Sequence, residues 1–133
     1  MSGRVRASLV GLVLFVASAS VSWAHHSVTG QFDPEKPMTL TGVISKVDWI
    51  NPHVYVHLDV TADDGTVTSW QLETAPTAML RRAGLTRASL QGPEGKTVTI
   101  QAIPARDEAK KLAFIYTITY ADGRTVRLSQ DRR

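Results

Sequence analysis

The stretch HVYVHLDVT (His53–Thr61), the loop around Asp63-Asp64-Gly65 and the return TVTSWQLET (Thr66–Thr74) decide the fold. The first segment alternates strictly. Val54, Val56, Leu58 and Val60 fall on one side, and His53, Tyr55, His57 and Asp59 on the other, the period-2 pattern of a half-buried strand. Asp63-Asp64-Gly65 predicts a three-residue hairpin loop, with Gly65 supplying the left-handed backbone position. Such a loop pairs Ala62 with Thr66. Counting back sets Leu58 opposite Trp70, Val56 opposite Leu72, His57 opposite Gln71 and Tyr55 opposite Glu73. One hairpin face is then apolar and the other polar, and a one-residue slip would turn the whole apolar set to water.

On the N-terminal side of this hairpin, Thr39–Trp49 is β-branched and alternating, with Gly42 expected at a bend or bulge, and Asn51-Pro52 breaks the pattern. On the C-terminal side, Ala75–Gly84 (APTAMLRRAG) reads as the one short helix, with Pro76 in its first turn and Gly84 as its stop. Thr86–Leu90 adds at most a further turn. Strands are expected at Thr97–Ile103, Leu112–Tyr120 and Thr125–Leu128, the last two joined through Asp122-Gly123. Five to six strands with one helix between the third and fourth is the element order of an OB-like β-barrel. The expected class is therefore all-β, with the barrel at 38–130 and a polar, Pro-containing extended arm at 25–37. Trp49 and Trp70 read as core residues rather than ligand-stacking platforms, and Arg81 and Arg82 as a solvated helix face.

Residues 1–24 read as a cleavable signal peptide. Arg4 and Arg6 form a positive start, Leu9–Val16 (LVGLVLFV) an apolar run too short for a comfortable membrane span, and Ser22 and Ala24 the small residues before a cleavage site. The mature chain is then expected to begin at His25 and to be periplasmic, without stable membrane insertion. Of 133 residues, 109 remain after cleavage, which is one domain by size.

Composition narrows the chemistry. The absence of cysteine excludes disulfides, thiolate metal sites and CxxC redox chemistry. The formal charge of +3 falls to +1 once Arg4 and Arg6 leave with the leader. No basic stripe with interleaved aromatics marks a nucleic-acid surface, and no nucleic-acid partner is expected. No nucleophile elbow or phosphate loop is present, so no catalytic residue is assigned.

The four histidines, His25, His26, His53 and His57, are the constellation that stands out. A chain beginning at His25 offers an α-amine and an imidazole to one metal ion, and a third nitrogen from another histidine completes an all-nitrogen site suited to Cu(II). This is similar to the histidine brace of copper monooxygenases and of some periplasmic copper carriers. His26 provides a second terminal option. His53 and His57 share a strand face, but four residues of strand span roughly 13 Å, so they are not expected to grip one ion together. His53, at the strand end, is the favoured partner of His25. Glu73 lies diagonal to both strand histidines and can orient either one from behind. Copper is the expected metal. The alternative is a metal-free, non-enzymatic module that binds a ligand or a periplasmic protein partner on the face of Tyr55, His57, Gln71 and Glu73. Acid–base catalysis by His53, His57 and Glu73 is the weakest reading.

His25-His26-Ser27, Gly42 with Val43, Trp49-Ile50-Asn51-Pro52-His53, Asp64-Gly65, Trp70 with Glu73, and Leu80-Arg81-Arg82-Ala83-Gly84 together resemble a family of small exported bacterial proteins classed as a domain of unknown function. The resemblance spans nearly the whole mature chain. It implies a Gram-negative periplasmic setting and an OB-like barrel, and it implies no activity, substrate or cofactor.

Overall fold

A computed structural model describes residues 27–129. The elements in chain order are α1 (Ser27–Gln31), β1 (Met38–Trp49), β2 (His53–Thr61), β3 (Val67–Pro76), α2 (Thr77–Arg82), α3 (Arg87–Gln91), β4 (Thr97–Pro104), β5 (Leu112–Tyr120) and β6 (Thr125–Arg127). The strands lie in the order β3-β2-β1-β4-β5-β6, and a further β3–β5 pairing closes the first five into a barrel. All pairings are antiparallel except β3–β5, which is parallel through Gln71–Leu112, Leu72–Ala113 and Glu73–Phe114. This is the OB-like, all-β architecture that the element order predicts, with β6 as an additional edge strand.

The hairpin that anchors the prediction forms in the expected register. Leu58 faces Trp70, Val56 faces Leu72, His57 faces Gln71 and Tyr55 faces Glu73. Ala62 N donates to Thr66 O at 2.8 Å, Gly65 adopts φ of +84°, and Asp64 Oδ1 accepts from Thr66 N at 2.9 Å. Val54, Val56, Leu58 and Leu72 are fully buried. With Ile44, Val47, Ile100, Ile115 and Ile118 they fill the barrel, while Trp49 and Trp70 pack against this core from its margin.

Three expectations are corrected. First, the described residues contain three short helices rather than one. The further turn expected at Thr86–Leu90 is the helix α3, opened by a capping box that uses Ser89 where a glutamate is usual: Thr86 Oγ1 accepts from Ser89 N at 3.2 Å, and Ser89 Oγ accepts from Thr86 N at 2.8 Å. α2 is shorter than Ala75–Gly84, because Ala75 and Pro76 complete β3 and Pro76 precedes the first turn in extended geometry. Second, the stretch read as an extended arm contains the helical turn α1, and Phe32 then bridges to Ala105 and is buried. Third, the bulge in β1 falls between Ile44 and Lys46, not at Gly42. Gly42 instead marks a close approach of strands, since a Cβ there would run into the backbone carbonyl of Asp59. The segment 1–24 read as a signal peptide, together with His25 and His26, lies outside the described residues. Among the described residues no helix is long and apolar enough to cross a membrane.

Candidate functional site

The outer face of β1, β2 and β3 carries the polar side chains singled out by their alternation. The bulge at Ser45 shifts the phase of β1, so that Val47 points into the core while Lys46 and Asp48 join the outer face beside His57 and Tyr55. Lys46 faces His57, and Asp48 faces Tyr55. His57 Nε2 lies 2.8 Å from Asp48 Oδ2, and Lys46 Nζ lies 2.7 Å from the other carboxylate oxygen. The Lys46 hydrogen bond is the main cause that lowers the Asp48 carboxyl below its ordinary value, with His57 adding to it. The partner of His57 is therefore Asp48, not Glu73. Asp48 was missed because its approach depends on the bulge that realigns β1 with β2.

Glu73 pairs with His53. Oε1 lies 3.1 Å from His53 Nδ1, in an electrostatic contact whose direction falls outside hydrogen-bond geometry. Nδ1 is buried while the His53 side chain as a whole is 37% exposed, so the exposure falls on the rest of the ring. Glu73 is buried, and burial raises its carboxyl above the ordinary glutamate value, with the nearby His53 opposing that shift. Its burial comes from β3 lying between β2 and β5. Leu72 points into the barrel, and Glu73 lies on the opposite face next to Phe114, its partner in the parallel pairing. Phe114 packs on Phe32 with ring centroids 5.6 Å apart and meets Tyr116 edge-on at 6.1 Å. Tyr55, opposite Glu73, has its hydroxyl raised above the usual tyrosine value by partial burial and by the Glu73 charge. Gln71 is exposed at the same face.

The loop before His53 is held from the other side. Asn51-Pro52 is a cis peptide, Pro52 O accepts from Thr77 N at 3.0 Å, and Asn51 Oδ1 accepts from Thr77 Oγ1 at 3.2 Å. These bonds tie the start of β2 to the start of α2 and so fix where the chain enters the sheet at His53. Among the described residues, no group of three or more histidine, aspartate or glutamate side chains is arranged to hold a metal ion. His53 with Glu73 and His57 with Asp48 are two separate pairs.

A family model described as a family of unknown function, DUF6152, matches residues 13–113. The chain belongs to this family. The matched span takes in the barrel from β1 into the start of β5, and with it Asp48, His53, His57 and Glu73. No curated protein and no solved structure matches the chain.

Proposed function

We propose that this member of DUF6152 is an exported, periplasmic metal-binding protein that holds Cu(II) between a mature amino terminus at His25 and the imidazole of His53. The observation that carries the reading is the contact between His53 Nδ1 and the buried Glu73 carboxylate. A carboxylate behind one ring nitrogen orients the imidazole and leaves the other nitrogen, here Nε2, for a metal. One histidine does not hold an ion by itself, so the remaining nitrogens must come from elsewhere. The α-amine and imidazole of a terminal His25 supply two in the tetragonal, all-nitrogen arrangement that Cu(II) favours, and His26 offers a second imidazole.

Chain length supports the pairing. Phe32 is anchored on Phe114, and Phe114 lies one strand away from Glu73. Six residues lie between Phe32 and His25; with Ser27–Gln31 helical at about 1.5 Å per residue and the rest extended, the segment spans at most roughly 16 Å, more than two strand spacings of about 5 Å each. His57 contributes less to this reading because its Nε2 is engaged by Asp48.

The test is copper titration, followed by electron paramagnetic resonance, of protein beginning at His25 and of protein carrying one extra N-terminal Met. Tight binding by the first and loss by the second is the expected result. Equal affinities would remove the terminal amine from the site. Amino-terminal sequencing of the periplasmic fraction tests export, and a start at His25 is expected.

The polar face of the β2–β3 hairpin supports a second reading, in which Tyr55, His57, Gln71 and Glu73 bind a ligand or a periplasmic protein without metal. A partner recovered from periplasmic extract by metal-free protein, and lost on Tyr55→Ala, would support it.

A further inference from the structure

We infer that the pocket between Trp49 and the turn linking α2 to α3 binds a small amphipathic anion: an apolar or aromatic body carrying a carboxylate, sulfonate or phosphate group. The pocket is open, measures about 330 Å³ and is lined by Trp49, Arg81, Leu85, Thr86 and Arg87. That volume lies within the range of small-molecule sites. None of its residues belongs to the histidine pairs on the β1–β2–β3 face.

The walls divide by chemistry. Trp49 and Leu85 are half-buried and packed against the barrel core, so they offer held apolar surfaces. Arg81 and Arg87 add two guanidinium groups, whose planar forks match the oxygens of a carboxylate, sulfonate or phosphate. The Thr86 hydroxyl is already engaged in capping α3.

The turn brings these groups together. Gly84 N donates to Arg81 O at 3.0 Å and Leu85 N to Leu80 O at 2.9 Å, with Gly84 at φ of +74°. This is the double hydrogen bond of a helix ended by a left-handed glycine. It reverses the chain, returns Leu85 to the core beside Leu80, and brings Arg87 to the same pocket as Arg81. Arg81, in the segment that ends at Gly84, thus stands with Leu85 and Arg87 on one wall, and Trp49, just ahead of Asn51-Pro52-His53, on the other.

The charge is uncompensated. Between Glu73 and Glu94 the chain holds Arg81, Arg82 and Arg87 and no acidic residue. Among the described residues, the ion pairs take up Lys36, Lys46, Arg106 and Lys110, and neither Arg81 nor Arg87 takes part in one. An inorganic anion would use the arginines and leave the indole idle. A neutral ring would do the reverse. A ligand with both parts engages every wall.

The probe is 8-anilinonaphthalene-1-sulfonate, an aromatic sulfonate, titrated against the full mature chain alongside its neutral counterpart N-phenyl-1-naphthylamine. Probe fluorescence and quenching of tryptophan emission report binding. One-site binding of the sulfonate is expected, weakened by about tenfold or more in the Arg81→Gln/Arg87→Gln double variant and unchanged in Arg127→Gln, on the edge strand β6. The neutral counterpart should bind more weakly than the sulfonate and be indifferent to the double substitution. Should the double variant fail to fold by circular dichroism, salt dependence of the wild type decides: sulfonate binding must weaken as ionic strength rises. No binding to wild type, equal binding to the double variant, equal affinity for the neutral counterpart, or salt-independent binding would each overturn the inference.

Discussion

Glu73 Oε1 lies 3.1 Å from His53 Nδ1, and Glu73 is the one buried charged residue among the described residues. The pair joins the middle of the closing strand β3 to the first residue of β2. It is therefore sensitive both to how the barrel closes and to how the Asn51-Pro52 loop delivers His53.

This contact has a pH signature. Burial raises the Glu73 carboxyl above its ordinary value of 4.5, so the folded state holds its proton more tightly than the unfolded chain does. Stability from this group is greatest below the unfolded value and is lost as pH rises through the raised folded value. In metal-free buffer, Glu73→Gln should therefore gain stability relative to wild type as pH climbs from the ordinary carboxylate range, as read from thermal midpoints across pH. A difference that stays flat with pH would show that the carboxylate is not held in a desolvating site.

Asp48 should behave in the opposite way. Its carboxyl is lowered, chiefly by the Lys46 hydrogen bond and then by His57. Its stabilising contribution is present above the unfolded value of 3.8 and lost as pH falls through the lowered folded value. Asp48→Asn should be less stable than wild type near neutrality, with the gap closing in acid. Because the group is partly open to solvent, added salt should shrink the gap as well.

Phe32→Ala tests the anchor of the N-terminal segment. Phe32 is fully buried against Phe114 and bridges to Ala105. Truncating a buried phenylalanine costs about 3 kcal/mol or more, measurable by urea denaturation. If His25 and His53 share an ion, copper affinity should fall in the same variant, since releasing Phe32 lets the terminus wander from β2. A loss of stability with unchanged copper affinity would count against the shared site.

Gly42→Ala addresses strand packing. The new methyl would meet the Asp59 carbonyl and the Leu58 side chain. Backbone does not yield as a flexible side chain does, so destabilisation of at least about 2 kcal/mol is expected. A variant as stable as wild type would mean that β1 and β2 are farther apart at this point than the structure has them.

Much of the barrel was legible in the chain. The β2–β3 hairpin was readable down to its register because alternation, a glycine-bearing loop and one apolar face are local signals that agree. Leu112–Tyr120 also matched its strand end to end. The candidate site was legible only in part. His53, His57 and Glu73 stood out by residue type and by sharing one face, but their partners did not. Asp48 reaches His57 only after the bulge at Ser45 has shifted the phase of β1, and nothing in the alternation of β1 alone announces that shift.

By itself, then, the sequence determined which residues alternate, where the chain turns, and which polar side chains line the outer face of the central hairpin. These follow from backbone geometry and from the need to bury one apolar face, both of which act over a few residues. Tertiary structure alone decided which carboxylate serves which histidine and that Glu73 is buried. Both depend on contacts between distant segments: β1 bulging against β2, and β3 meeting β5 in parallel with Glu73 beside Phe114. Burial of a charge is a property of what surrounds it, and Phe114, beside Glu73 in the parallel pairing, lies some forty positions away in the chain.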